Sequence, residues 1–177
     1  MFLDQLVGAA HYKILDDVID TGDEFVFSTS DHFDLTSIDR ISDTEAVIVY
    51  RTNSGASTHI AGIIITESGS TFTAGAETEV WDQGNYTHDY LDVATYDDSN
   101  FVVVIKSHSG GGYSNEIVAI HCSMVGSAIT VESGSPTIVD TSDIAAYPAN
   151  CGLTATHGIL AYQNFTDSDG KAACLYL

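Results

Sequence analysis

The chain has 177 residues, 44% of them hydrophobic, and carries 5 Lys and Arg against 25 Asp and Glu, a formal charge of −20. That length buries the core of a single domain, and the composition excludes a disordered chain. The acidity sets the protein against nucleic-acid backbones and anionic membrane surfaces, which a polyanion repels.

No run of about eighteen apolar residues exists to cross a bilayer, so no membrane insertion is expected. The opening MFLDQLVGAAHY carries Asp4 and no basic segment, so it does not read as a secretory signal. Cys122, Cys151 and Cys174 lack any CxxC or Cys/His spacing, which argues for buried free thiols rather than a zinc site or a disulfide framework. Two sequons begin at Asn85 and Asn164.

In chain order the elements repeat. QLVGAAH from Gln5 and LDDVIDTGDEFVF from Leu15 read as two strands, and HIAGIII from His59 and GSTFTAGAETEVW from Gly69 repeat them. Before the second pair stand DLTSIDRISDT and EAVIVYR, ending at Arg51. The same order returns as DYLDVATYDDS, NFVVVIK (ending at Lys106), EIVAIHC and GSAITVESGSPTIV. It returns once more as AYPANCGLTAT, HGILAYQ (ending at Gln163) and KAACLYL. Positions 51, 106 and 163 are 55 and then 57 residues apart.

Each unit is β-branched or aromatic and bounded by Gly, Asn, Asp or Ser, the signature of strand and turn. AVIVY and FVVVI are continuous rather than alternating, so that strand is expected to be covered on both faces, and no segment has helical spacing.

Four antiparallel strands per repeat, buried by stacking on the next repeat, is the pattern that resembles the β-propeller class over almost the whole chain. The resemblance implies an all-β fold of about three blades in one repeat domain over 1–177. Residues 1–30 supply strands three and four of a blade, 31–84 and 85–142 are full repeats, and 143–177 supply strands one to three. It also implies a longer chain or completion by homo-oligomerisation, because bare blade faces and edges invite pairing.

If strands one and two form hairpins, Asp34 faces Arg51, Asp89 faces Lys106 and Ala146 faces Gln163. Charge is then present or absent on both sides together, as a cross-strand pair predicts. The same end of the strands gathers His32, Asp34, Arg51, Asn53, His88, Asp89, Lys106, His108, Tyr113 and Asp143, the candidate ligand-binding set.

His32 and His88 sit beside carboxylates at equivalent places, a pairing able to bind a metal or tune an imidazole. TDSDG, with Asp167 and Asp169 at alternate positions, resembles part of a calcium loop but lacks its remaining ligands. SGGGY at 109–113 reads as a hairpin tip, and the repeat-equivalent aromatics Phe27, Trp81, Tyr50 and Tyr162 read as core.

The expected function is recognition: a module of extracellular, cell-surface or virion-surface type that binds a glycan or protein through its variable loops. The alternatives are a glycoside hydrolase or lyase using Asp34, Asp89 and Asp143, and a structural subunit of a ring or filament.

Overall fold

The β-branched runs form the strands that the repeat predicts, and every hydrogen-bonded pair is antiparallel. The computed structural model describes residues 7–15, 18–28, 33–54, 57–69, 71–82, 88–107, 116–140, 145–164 and 169–177. No helix occurs among the described residues.

Strands β1 (Val7–Leu15) and β2 (Val18–Ser28) form the first sheet. The second is ordered β3 (Phe33–Arg40), β4 (Glu45–Ser54), β5 (Ser57–Ser68), with the short β6 (Thr71–Ala74) and β7 (Thr78–Asp82) both on the outer side of β5. The third repeats it with β8 (His88–Asp97), β9 (Asn100–Ser107), β10 (Ile117–Val125), β11 (Ala128–Val131) and β12 (Thr137–Asp140). The fourth holds β13 (Ala145–Thr154), β14 (His157–Asn164) and β15 (Asp169–Tyr176).

The fourth strand of a repeat, read as one from the sequence, is therefore divided. Gly75 explains the first break: its N–H donates to Ile64 O at 2.8 Å, and a Cβ there would press on the Ser127 carbonyl of the next sheet's turn. In the third sheet the break spans 132–136 and includes Pro136, which has no N–H to give to a ladder.

The continuous apolar runs are buried on both faces, as expected. Val47 and Val49 of β4 join Val103, Ile105 and Ile120 in the largest core cluster, between the second and third sheets. Ile48 and Tyr50, on the opposite face of β4, pack with Phe27 of the first sheet. Val102 and Val104 of β9 pack with Leu160 of the fourth. The four sheets thus lie face to face in chain order, each burying alternate residues against its neighbour. The ring closure of a propeller is not formed: the sheets make an open all-β stack.

A polar seam joins strand one of successive sheets. Ser37 Oγ donates to Asp92 Oδ1 at 3.0 Å, and Asp92 Oδ2 accepts from Asn150 N at 2.7 Å. Asp39 Oδ2 accepts from Thr95 N at 2.7 Å and from Thr95 Oγ1 at 2.9 Å. These carboxylates take up strand N–H groups that have no sheet partner on that side. The seam holds the first strands of three sheets in register with one another.

A candidate binding site at one end of the sheets

Strand one begins with an irregularity in all three of these sheets. The ladder shifts between Phe33 and Thr36, between Asp89 and Leu91, and between Ala146 and Ala149. Such bulges turn side chains out of the pleat. Here they turn out Tyr90 and Tyr147, both in the left-handed region at φ 59° and φ 54°. An aromatic residue with positive φ is a backbone outlier that the surroundings must hold in place, and such outliers gather at functional sites.

The two rings meet across the third and fourth sheets with centroids 4.4 Å apart and planes inclined at 54°. Tyr147 is 54% exposed, so an aromatic surface faces solvent instead of the core. The Tyr90 phenol is held above its ordinary value, first by its hydrogen bond with Tyr147 and then by burial and neighbouring charge, including Asp89.

Beside the tyrosines stand charges. Asp89 lies directly opposite Lys106 in the β8–β9 ladder, and Ala146 opposite Gln163 in β13–β14, as the hairpin arithmetic requires. Phe33 opposite Thr52 fits the first hairpin's predicted register, but the bulge then shifts the ladder by one residue, and Asp34 and Arg51 fall in it. Burial pulls the Arg51 guanidinium below its ordinary value, and the Asp89 carboxylate of the next sheet acts against that shift. Asp89 is thus a shared counter-charge, opposite Lys106 on its own sheet and near Arg51 of the preceding one.

Lys171 stands at the same end, opposite Tyr162. Three of the chain's five basic residues therefore cluster where strand two ends and strand three begins. Glu116 is there too, and its Oε2 is buried with no hydrogen-bond partner among the described residues.

Of the other expected site residues, Asp34, Asn53 and His88 lie in β3, β4 and β8. His32, His108, Tyr113, Asp143 and Asp167 lie outside the described residues, as does the 109–113 tip. Asp169 is exposed at the start of β15, and no group of three or more His, Cys, Asp or Glu able to hold a metal occurs among the described residues.

Tyr90, Tyr147, Lys171 and Glu116 were not in the expected set. A Tyr at the start of strand one in two consecutive repeats was visible in DYLDVA and AYPANC. The bulge that turns it outward was not.

Three further expectations are corrected or confirmed. Only Cys122 is a buried thiol; Cys151 and Cys174 are exposed, because they fall on the outward-facing positions of an outer sheet. Of the two sequons, Asn164 is 7% exposed at the end of β14, so its side chain faces the interior, and Asn85 lies outside the described residues. Phe27, Trp81 and Tyr50 are core residues, and Tyr162 packs against the core between the third and fourth sheets.

The chain matches no protein-family model, no curated protein and no solved structure. The class it defines is structural: an all-β protein of stacked antiparallel sheets with a mixed aromatic and charged surface at one end.

Proposed function

We propose that this protein is a recognition module that binds a hydroxylated ring ligand, a glycan, at the end of the sheets formed by Tyr90, Tyr147, Asp89, Arg51 and Lys106. The observation carrying this reading is the Tyr90–Tyr147 pair, half-buried and exposed respectively, held in left-handed backbone beside a charged cluster. A sugar offers an apolar face that packs on an aromatic ring and a rim of hydroxyls that need donors and acceptors. The tyrosines supply the first, while the guanidinium, ammonium and carboxylate groups supply the second.

In this reading the sheets are propeller-type blades, the bulged ends of strand one and the adjoining loops form the recognition face, and the module works at an extracellular, cell or virion surface. Loops on a rigid β scaffold can vary without disturbing the core, which suits such a role.

Tyr90→Gly provides the test, because glycine adopts positive φ without strain while removing the ring. A glycan array should register binding by the native protein. Tyr90→Gly and Tyr147→Gly should each abolish it with the thermal midpoint unchanged or higher. Binding that survives both substitutions would refute the site, and an array with no ligand would refute glycan recognition.

A further inference from the structure

Sheet faces that point toward the chain's C-terminal end are equivalent by repeat, and those of the second and third sheets are covered. Val47 and Val49 on β4 and Ile60 and Ile64 on β5 point at the third sheet and are 0% exposed. Their counterparts one repeat on, Val102, Val104 and Ile117, point at the fourth sheet and are at most 2% exposed.

The next counterparts lie on the fourth sheet. They are Ile159 and Ala161 on β14, with Gly170 and Cys174 on β15; Ala172 and Tyr176 share that face of β15, and all six are exposed, Ile159 at 41% and Tyr176 at 71%. The ladders make them one continuous face. Cys151, Ile159 and Cys174 are directly opposed across three strands, as are Ala149, Ala161 and Ala172. Tyr176 completes it with His157, ring centroids 5.1 Å apart.

None of these outward positions carries Asp, Glu, Lys or Arg, in a chain with 30 such residues and a charge of −20. An acidic surface opposes the approach of another copy everywhere that charge is dense. On this face that repulsion is small, and uncovered apolar surface gains from contact.

We infer that the outward face of the fourth sheet is an interface that packs against a second copy of this chain. The argument for that occupant is continuity: the equivalent faces of the second and third sheets are closed by an antiparallel sheet of this same repeat, on positions in register with these. A copy of the chain carries such sheets, and sheet-on-sheet packing of alternate residues is the geometry already used at each junction inside the molecule.

The test is the mass in solution, by light scattering and sedimentation over about 1 to 100 µM, a range spanning the weaker affinities of interfaces of ordinary size. The native protein is expected to run at twice the monomer mass or more. Ile159→Asp and Tyr176→Glu change exposed side chains, so each should keep the native circular dichroism while weakening association at least tenfold. Thiol labelling gives a second readout in unmodified protein: Cys151 and Cys174 should react slowly in the associated form and fast on dilution, with Cys122 unreactive in both. A monomer across the whole range overturns the inference. So does an assembly that both variants leave intact, or one in which Cys151 and Cys174 label as fast as in the monomer.

Discussion

Cys122 sits in the largest core cluster with its thiol pushed up to about 12, mainly by burial and secondarily by Glu132. Tyr96, at the junction of the third and fourth sheets, is likewise raised to about 12, first by burial and then by Cys151. Tyr50 is raised too, by burial and by the hydrogen bond its hydroxyl donates to Glu77 Oε2 at 2.6 Å. All three fold with proton affinity above that of the unfolded chain, so the unfolded state releases its proton first as pH rises.

Their contribution is intact below the ordinary thiol value of 9.0 and is lost progressively toward about 12. Urea unfolding from pH 7 to 11 should therefore show a flat midpoint to about pH 9 and then a fall, with Cys122 alone contributing up to about 1.4 kcal/mol per pH unit. Cys122→Ala should delay the onset to about pH 10, where the tyrosines begin to titrate. A midpoint unchanged through pH 11 would contradict this account of the buried groups.

The way sheets approach one another depends on small residues at particular contacts. Gly152 on β13 lies so close to β8 that a Cβ would meet the Thr95 carbonyl oxygen, and one on Gly158 would meet the Tyr96 ring. Backbone on one side and a packed ring on the other leave little room to yield. Gly152→Ala is expected to cost about 1 to 3 kcal/mol, the range for overpacking, read as a lowered urea midpoint. It should also expose the Tyr96 side of the junction to a fluorescent apolar dye. Gly170→Ala, where nothing lies within 4 Å, is the control and should change the midpoint little.

At this scale the sequence was legible in one respect and opaque in another. The repeat of AVIVY and FVVVI announced strands buried on both faces, and the opposite charges at Asp89 and Lys106 announced their register, because pairing and burial act on residues a fixed distance apart. The bulges were hidden. They depend on contacts between sheets that no local pattern encodes, so the outward tyrosines and the influence of Asp89 on Arg51 of the preceding sheet could not be read from their spacing. The Gly75 break was likewise concealed, since it meets a turn at Ser127, 52 residues further along the chain (127 − 75).

Among the described residues the sheets form a row in which each packs against its neighbours, and stability in such a row is a sum of sheet and junction terms. Strands β4, β5, β9 and β10 are flanked on both faces, whereas the fourth sheet is covered on one. Native-state hydrogen exchange should accordingly be slowest for the amides of β9 and β10 and faster by orders of magnitude in β15, which opens without unfolding the rest. Uniform protection across β9 and β15 in dilute protein would mean that the row unfolds only as a unit.

The divided fourth strands carry a further consequence for such a row. A long straight rim of unpaired amides would template a passing extended chain and seed a fibril. At Gly75 and again before Pro136 the rim is cut into pieces of four or five residues, too short to nucleate cross-β growth, so the two middle sheets are insulated against the fate that their own valine and isoleucine runs would otherwise promote.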